Sequence, residues 1–179
     1  MNDLTGKKIA IIATGHFEEA ELVKPRDELS QAGAEVKVYS AETDPIQAVE
    51  GDTEPTQRVA VDGTFSDLDV SSVDAVVVPG GTVNADTIRQ DEDAQSIVKE
   101  AVESDKVLAV ICHGPWLLIS AGVAQGRRLT SFPSLSIDLE NAGATWTDEE
   151  VVVDGKLITS RNPDDIPAFI EAISDALTA

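Results

Sequence analysis

One short segment joins an apolar run to the start of a helix: Val107-Leu108-Ala109-Val110-Ile111-Cys112-His113-Gly114-Pro115. The continuous apolar run predicts a strand buried on both faces, as in a sheet that helices cover on each side. Proline fits the first turn of a helix, and glycine allows a close approach of the backbone. Cys112 therefore lies on a tight strand-to-helix turn.

This position predicts a reactive thiol at Cys112. The free N–H groups at a helix start carry partial positive charge, which stabilises a thiolate and lowers the thiol pKa below its ordinary value of about 8.5. A sharp turn also lifts the side chain out of the sheet, as in the nucleophile turns of serine hydrolases. A lone cysteine after an apolar strand is more often a core residue, but the turn residues Gly114 and Pro115 reverse that preference.

Strands and helices alternate along the rest of the chain. Strands are predicted at Lys8–Ala13, Glu35–Ser40, Val73–Val78 and Val107–Ile111, and a hairpin joins Val151–Val153 to Leu157–Thr159 through Asp154-Gly155. Helices are predicted up to Ala32 with a break at Pro25 and a stop at Gly33, across Ile88–Val102, at Trp116–Ala121 and after Asn162. Residues 41–57 are predicted to form a surface loop or excursion, not a linker between domains. This alternation predicts one α/β domain, residues 1–179, with a mostly parallel sheet and helices on both faces.

The carboxyl ends of parallel strands form the sites of such sheets. Three predicted strands end in distinctive sequences, at Gly15–Glu18, Pro79–Gly81 and Cys112–Pro115. We expect these ends to converge on one pocket. There the backbone N–H groups of Gly80-Gly81 either stabilise an oxyanion or belong to a simple loop.

Two side chains near Cys112 have open roles at this point. His113 is either a base or a structural residue, because adjacent side chains usually diverge. Glu18, taken alone, is better explained as a solvated or helix-capping acid. No histidine follows His113, so the distant downstream base of a class I glutamine amidotransferase is missing, and that activity is excluded.

Composition narrows the possible partners. The 179 residues include 33 acidic and 13 basic side chains, giving a net charge of −20 and a pI near 4.2. Such a surface repels nucleic acids and anionic membranes. Its dispersed acids favour adaptation to high salt, and the alternative is an ordinary acidic protein with a solvated face. A single cysteine excludes an intramolecular disulfide and a cysteine-based metal cluster, and two histidines disfavour a zinc site built from imidazoles. No cofactor is expected. The apolar runs are too short for a membrane span and no signal peptide is recognised, so we expect a cytoplasmic protein.

Three site segments resemble the ThiJ/PfpI superfamily. They are Ala109-Val110-Ile111-Cys112-His113-Gly114-Pro115, Phe17-Glu18-Glu19-Ala20-Glu21-Leu22 and Val77-Val78-Pro79-Gly80-Gly81. Shorter matches include Ala121-Gly122-Val123, Asn141-Ala142-Gly143 and Thr159-Ser160-Arg161. The resemblance extends from about Lys7 to Ala176 and is strongest to the branch of PfpI intracellular proteases and general stress proteins.

The resemblance implies a flavodoxin-like three-layer sandwich, similar in fold to class I glutamine amidotransferases. It implies that Cys112 is the nucleophile, that Glu18 is the buried acid hydrogen-bonded to its sulfur, and that His113 is the base. It also implies an oxyanion hole made by the backbone N–H groups of Gly81 and His113.

The resemblance further implies a homo-oligomer in which an acid from an adjacent subunit approaches the histidine. Local alignment places that acid at Asp86, with Ala85 as the competing match. Some relatives have a tyrosine near the site, where this chain has Phe132, so a tyrosine hydroxyl cannot contribute here.

Family resemblance does not select the reaction. One hypothesis is a cysteine hydrolase that acts on peptides or glycated amines, and a second is a glyoxalase or deglycase that acts on small dicarbonyls. These two rank close together. A third hypothesis is a non-enzymatic redox sensor or holdase-like stress protein in which Cys112 is oxidised reversibly.

Overall fold

The structure, a computed structural model, describes residues 1–179. Its strands are β1 (Lys8–Ile12), β2 (Phe17–Glu18), β3 (Glu35–Ser40), β4 (Ile46–Glu50), β5 (Glu54–Val59), β6 (Gly63–Thr64), β7 (Ala75–Val78), β8 (Val107–Ile111), β9 (Arg128–Leu129), β10 (Thr145–Trp146), β11 (Val151–Asp154) and β12 (Leu157–Ser160). Its α-helices are α1 (Glu19–Gln31), α2 (Thr82–Ile88), α3 (Glu92–Glu103), α4 (Pro115–Ser120), α5 (Ser136–Asn141) and α6 (Ile166–Thr178).

Seven strands form the central sheet, in the order β11-β12-β8-β7-β1-β3-β6. All neighbouring pairs are parallel except β11 and β12, which form the antiparallel hairpin that Asp154-Gly155 predicts. Strands β1, β7 and β8 occupy the middle of the sheet, and their apolar runs are buried. The predicted α/β architecture is confirmed.

Two hydrophobic cores lie on opposite faces of this sheet. Alternate residues of β1 supply both, with Ile9 and Ile11 on one side and Ala10 and Ile12 on the other. Helices α1 and α6 cover the first face, and α3, α4 and α5 cover the second. The result is a three-layer sandwich. No helix combines the length and apolar character needed to cross a bilayer.

Helix α1 runs through Pro25 without the predicted break. Proline lacks the N–H that would bond to the carbonyl of Glu21, and inside a helix this costs about 3 kcal/mol. The helix continues because Leu22, Pro25 and Leu29 form its buried face against the sheet. It ends before Gly33, as predicted, where φ is +102°.

Residues 41–57 are more ordered than the predicted surface loop. Strands β4 and β5 form an antiparallel hairpin, and β4 also pairs with β2, which makes a second sheet of three strands. The segment is a surface excursion, but its strands were not predicted, because β5 is almost wholly exposed, with only Val59 buried, and lacks an alternating apolar pattern. The tip of this hairpin reaches the carboxyl end of the central sheet.

Candidate active site

Cys112 directly follows β8 with a φ of +62°. This backbone conformation is uncommon for a residue other than glycine and marks a strained turn. Two backbone hydrogen bonds hold it: Cys112 N–H donates to the Ser160 carbonyl at 3.0 Å, and the Cys112 carbonyl accepts from Phe132 N–H at 2.8 Å. A Cβ on Gly114 would lie 2.8 Å from Val110 Cγ1. The predicted tight strand-to-helix turn is therefore present.

The Cys112 thiol is 6% exposed. Burial raises its pKa, and the charge of an ionised Glu21 acts in the same direction. The backbone N–H groups of Gly81 and His113 hydrogen-bond to the sulfur and act in the opposite direction. The sequence predicts a lowered thiol pKa, but the structure does not support this, because the prediction counts the helix start at Pro115 and leaves out burial.

The acid beside the sulfur is Glu21, which is fully buried on α1. Its Oε2 accepts from Gly80 N–H at 2.8 Å, and its side chain hydrogen-bonds with Cys112. Burial raises the pKa of Glu21 to about 8, and the charges of Glu18 and Asp52 add to the rise. At pH 7 the carboxyl group is therefore mostly protonated and can donate to the sulfur.

Glu18 does not occupy the predicted position. It lies at the end of β2, partly exposed, and its carboxylate accepts from the N–H groups of Gly51 and Asp52 at 3.3 and 3.4 Å. The difference arises because α1 begins at Glu19, so that the first helical turn carries Glu21 inward. Glu18 instead lines a surface cavity of about 520 Å³.

His113 lies beside the thiol, with Nδ1 3.2 Å from Cys112 Sγ. Its ring stacks on Phe132 at 4.6 Å between centroids and meets the edge of Trp116 at 5.5 Å. Burial lowers the pKa of His113, and the charge of Asp52 partly opposes this. The ring is therefore neutral at pH 7 and, with its proton on Nε2, can accept the thiol proton through Nδ1.

The two glycines after β7 fit closely against the site. A Cβ on Gly80 would lie 2.6 Å from both Cys112 Cβ and Glu21 Oε2, and Gly81 has a φ of +83°. The N–H groups of Gly81 and His113 both point at the sulfur. A carbonyl oxygen of a compound bonded to that sulfur would lie near both donors, so their role as an oxyanion hole stays a prediction consistent with this geometry.

Sequence reasoning missed two polar residues that support the site. Asn84 is fully buried and joins two strand ends, accepting from Thr14 N–H at 2.7 Å and donating to the carbonyls of Pro79 and Gly80. Asp52, at the tip of the β4–β5 hairpin, bonds to Thr82. An asparagine three residues after Gly81 gave no distinctive signal, and Asp52 lay in the segment predicted as a loop.

Local alignment offers two residues, Asp86 and Ala85, for the acid that acts on an adjacent subunit. They differ in exposure. Asp86 is exposed on α2, whereas Ala85 is completely buried. Only Asp86 could therefore reach a second subunit, and its role there stays a prediction.

The site thus combines a thiol, an adjacent neutral imidazole, a mostly protonated carboxyl group and two backbone donors. This set suits attack of sulfur on a carbonyl carbon. Gly81, Cys112 and His113 come from two of the predicted strand ends, whereas Glu21 lies on α1. The third predicted end, Gly15–Glu18, meets them as well, since Glu18 N–H donates to the Gly80 carbonyl at 3.4 Å. The three strand ends therefore converge.

Comparison with known proteins places this site in a family. Residues 7–176 match the DJ-1/PfpI family. General stress protein 18 of Bacillus subtilis is 41% identical over 165 residues, which cover 92% of this chain and 94% of the relative. Protein/nucleic acid deglycase 2 of Escherichia coli is 42% identical over 164 residues, which cover 91% and 93%.

Solved structures show the same architecture. A two-domain protein of Anabaena variabilis, with DJ-1/ThiJ/PfpI-like and ferritin-like domains, superposes with a TM-score of 0.90 at 38% identity. That match covers 96% of this chain and 48% of the two-domain protein. Drosophila melanogaster DJ-1beta superposes with a TM-score of 0.86 at 28% identity, covering 99% and 91%. On both sequence and structure, the chain belongs to the DJ-1/PfpI family.

Proposed function

We propose that this chain is a stress-related, cysteine-dependent enzyme that acts on glycated amines or small dicarbonyl compounds. The observation that carries the proposal is a nearly buried thiol, 6% exposed, whose sulfur lies 3.2 Å from the Nδ1 of a histidine. A small carbonyl compound reaches such a sulfur more easily than does the backbone of a folded protein. The Escherichia coli relative at 42% identity, which is named a deglycase, supports the same activity.

The first step is attack of Cys112 Sγ on an electrophilic carbonyl carbon. A C–S bond forms, the thiol proton moves to His113 Nδ1, and the carbonyl oxygen takes the negative charge. The N–H groups of Gly81 and His113 hydrogen-bond to the sulfur, and an oxygen on the carbon bonded to that sulfur would lie close enough for both to donate to it. Glu21, being mostly protonated at pH 7, adds little negative charge beside it.

With a glycated amine, the C–N bond breaks and the amine leaves, so that the sulfur holds the dicarbonyl part. Hydrogen then shifts from the former aldehyde carbon to the neighbouring ketone carbon, which turns the adduct into a thioester and the ketone into an alcohol. Water cleaves the C–S bond of the thioester, which gives a carboxylic acid and the free thiol. Electrons therefore balance within the substrate, with no external oxidant or reductant.

A peptidase uses the same nucleophile and is the runner-up. The burial of Cys112 disfavours it, since a peptide must be extended to reach the sulfur. The non-enzymatic alternative, a redox-sensing or holdase-like protein, needs only the thiol and gives no role to His113 Nδ1.

One assay panel separates these functions. Wild type and Cys112→Ala are tested in 2 M KCl with methylglyoxal, a methylglyoxal-modified N-acetyl amino acid and a fluorogenic peptide. We expect turnover of the first two compounds by wild type only. Turnover of the peptide alone would replace the proposal with the peptidase. Inactivity on all three, with a thiol that peroxide oxidises and a reductant restores, would favour the sensor.

We also propose a homo-oligomer in which Asp86 of one copy approaches His113 of the next. The exposure of Asp86 on α2 supports this, as does the absence of a carboxylate hydrogen-bonded to His113 within the chain. Sedimentation in high salt that gives only an 18.9 kDa species would contradict it.

Two further proposals concern the setting in which the enzyme works. A reducing compartment such as the cytoplasm would keep the single Cys112 thiol available. The net charge of −20 supports work at high salt, and it makes nucleic acids and anionic membranes unfavourable partners.

A further inference from the structure

The tip of the β4–β5 hairpin is fastened next to the active site. Gly51 and Asp52 both have positive φ, +59° and +66°, which gives a tight reversal between the strands. The carboxylate of Glu18 accepts from both of their N–H groups. The backbone of the tip is thereby held, and the Asp52 side chain is directed towards the start of α2.

Asp52 binds both donors of one residue. Its Oδ1 accepts from Thr82 N–H at 2.7 Å, and its Oδ2 accepts from Thr82 Oγ1 at 2.8 Å. Thr82 begins α2 and directly follows Gly81, whose N–H points at the Cys112 sulfur. The carboxylate is therefore one residue away from a donor that the proposed reaction uses.

Gly80 and Gly81 have no side chains that could fix the position of their backbone. A Cβ on Gly81 would lie 2.7 Å from Glu18 N and from His16 O, so the backbone at Gly81 leaves no space for a side chain. Asn84 anchors the carbonyls of Pro79 and Gly80 from one side. Asp52 supplies the anchor on the other side, at Thr82. A donor displaced by about 1 Å can reduce a rate about 100-fold.

We propose that Asp52 is a positioning residue, which fixes Thr82 and thereby holds the Gly81 N–H on the Cys112 sulfur. The inference rests on the proposed function for its effect on turnover, and on geometry alone for its effect on the thiol. Asp52 also contributes a negative charge near the site, which raises the pKa of His113 and of Glu21. The ionisable groups that face these two residues are Cys112, Glu18 and Asp52.

Two substitutions of Asp52 separate the effect of its hydrogen bonds to Thr82 from the effect of its negative charge. Asp52→Asn can keep both bonds, because its carbonyl oxygen accepts from Thr82 N–H and its amide donates to Thr82 Oγ1. Asp52→Ala loses both bonds, and both variants lose the charge. Glu54→Gln, at the exposed start of β5, is the matched control for charge removal from the same hairpin.

The first readout needs no substrate: the rate at which iodoacetamide alkylates Cys112 at pH 7, followed by mass spectrometry. We expect Asp52→Ala to react at least about fivefold more slowly than Asp52→Asn, since the misplaced Gly81 N–H no longer stabilises the thiolate. Glu54→Gln should match wild type. Equal rates for the two Asp52 variants would overturn the positioning role, even if the proposed enzyme activity proved wrong.

The second readout is the pH profile of kcat/KM with the methylglyoxal-modified amino acid. Without the charge of Asp52, the pKa values of His113 and Glu21 fall. The rising and falling sides of the kcat/KM profile should therefore both move to lower pH in both Asp52 variants. Only Asp52→Ala should also lower the maximum kcat/KM, by at least about tenfold and mainly through kcat. If Asp52→Ala does not fold, Thr82→Val, which removes one of the two bonds, takes its place, and an alkylation rate equal to that of wild type would refute the proposal.

Discussion

The carboxyl group of Glu21 lies where ionisation is costly, because it is fully buried and faces a sulfur. Of three acids in Glu18-Glu19-Ala20-Glu21, only Glu21 shares the helix face of Leu22, Pro25 and Leu29. Spacing of four residues between Glu21 and Pro25 is visible in the sequence. This spacing did not identify Glu21, because a helix broken at Pro25 has no continuous face that Glu21 and Pro25 could share.

Substitutions at Glu21 should control the reactivity of Cys112. In Glu21→Gln the carbonyl oxygen can still accept from Gly80 N–H while the amide donates to sulfur, so alkylation by iodoacetamide at pH 7 should stay within about threefold of wild type. Glu21→Leu removes a hydrogen bond to the developing thiolate, a type of bond worth about 1.5–3 kcal/mol, and should slow alkylation at least about tenfold. Asp27→Asn, on the exposed face of the same helix, is the control and should have little effect. Equal effects of Asp27→Asn and Glu21→Leu would contradict the assignment.

Glu21 should also make stability depend on pH. Its folded pKa, about 8, lies above its ordinary value of 4.5, so between these values the folded chain holds a proton that the unfolded chain releases. The free energy of unfolding therefore falls as pH rises from about 4.5 to 8, by up to about 1.4 kcal/mol per pH unit from this group, and levels off above. Denaturant titrations of wild type and Glu21→Gln at several pH values should show that the free energy of unfolding decreases less with pH in the variant. Parallel curves would mean that Glu21 ionises normally.

Elements with a clear apolar pattern or turn signal could be predicted from the sequence. The β4–β5 hairpin could not. Val107–Ile111 coincides with β8, and the Asp154-Gly155 turn joins β11 to β12. Strand β5 has five exposed residues in succession, so its order comes from hydrogen bonds with β4 rather than from burial. Asp52 was missed with it, because a residue's contact with a distant helix start leaves no local pattern.

Helix α6 gives a quantitative test of the predicted apolar stripe. Ile166, Phe169, Ile170, Ile173 and Leu177 are all buried. Ile173 is 0% exposed, so Ile173→Ala should lower the free energy of unfolding by about 2–5 kcal/mol through lost burial and a cavity. The exposed neighbour Glu171 provides a matched control, and Glu171→Ala should change it by less than about 0.5 kcal/mol. A loss below 1 kcal/mol at Ile173, measured by urea denaturation, would show that α6 is loosely docked.

Over the whole molecule, repulsion between acids outweighs attraction. The chain has 33 acidic side chains but few close ion pairs: Arg26–Asp27, Lys37–Glu35, Arg128–Glu149, Arg161–Asp148 and Arg161–Asp165. Most of these pairs are exposed and contribute little, about 0–1 kcal/mol each. Salt therefore screens more unfavourable than favourable interactions.

Stability should rise with salt into the molar range. The Debye length falls from about 30 Å at 0.01 M to about 3 Å at 1 M, so acids dispersed over the surface cease to repel one another. The melting temperature should increase between 0.05 and 2 M KCl, measured by circular dichroism. The control is the triple variant Glu42→Gln/Asp44→Asn/Glu54→Gln, which removes three exposed acids and changes the net charge from −20 to −17. It should melt higher than wild type at 0.05 M KCl and gain less from added salt. A wild-type melting temperature that stays constant or falls over this range would contradict adaptation to salt, and the acidic surface would then need another explanation.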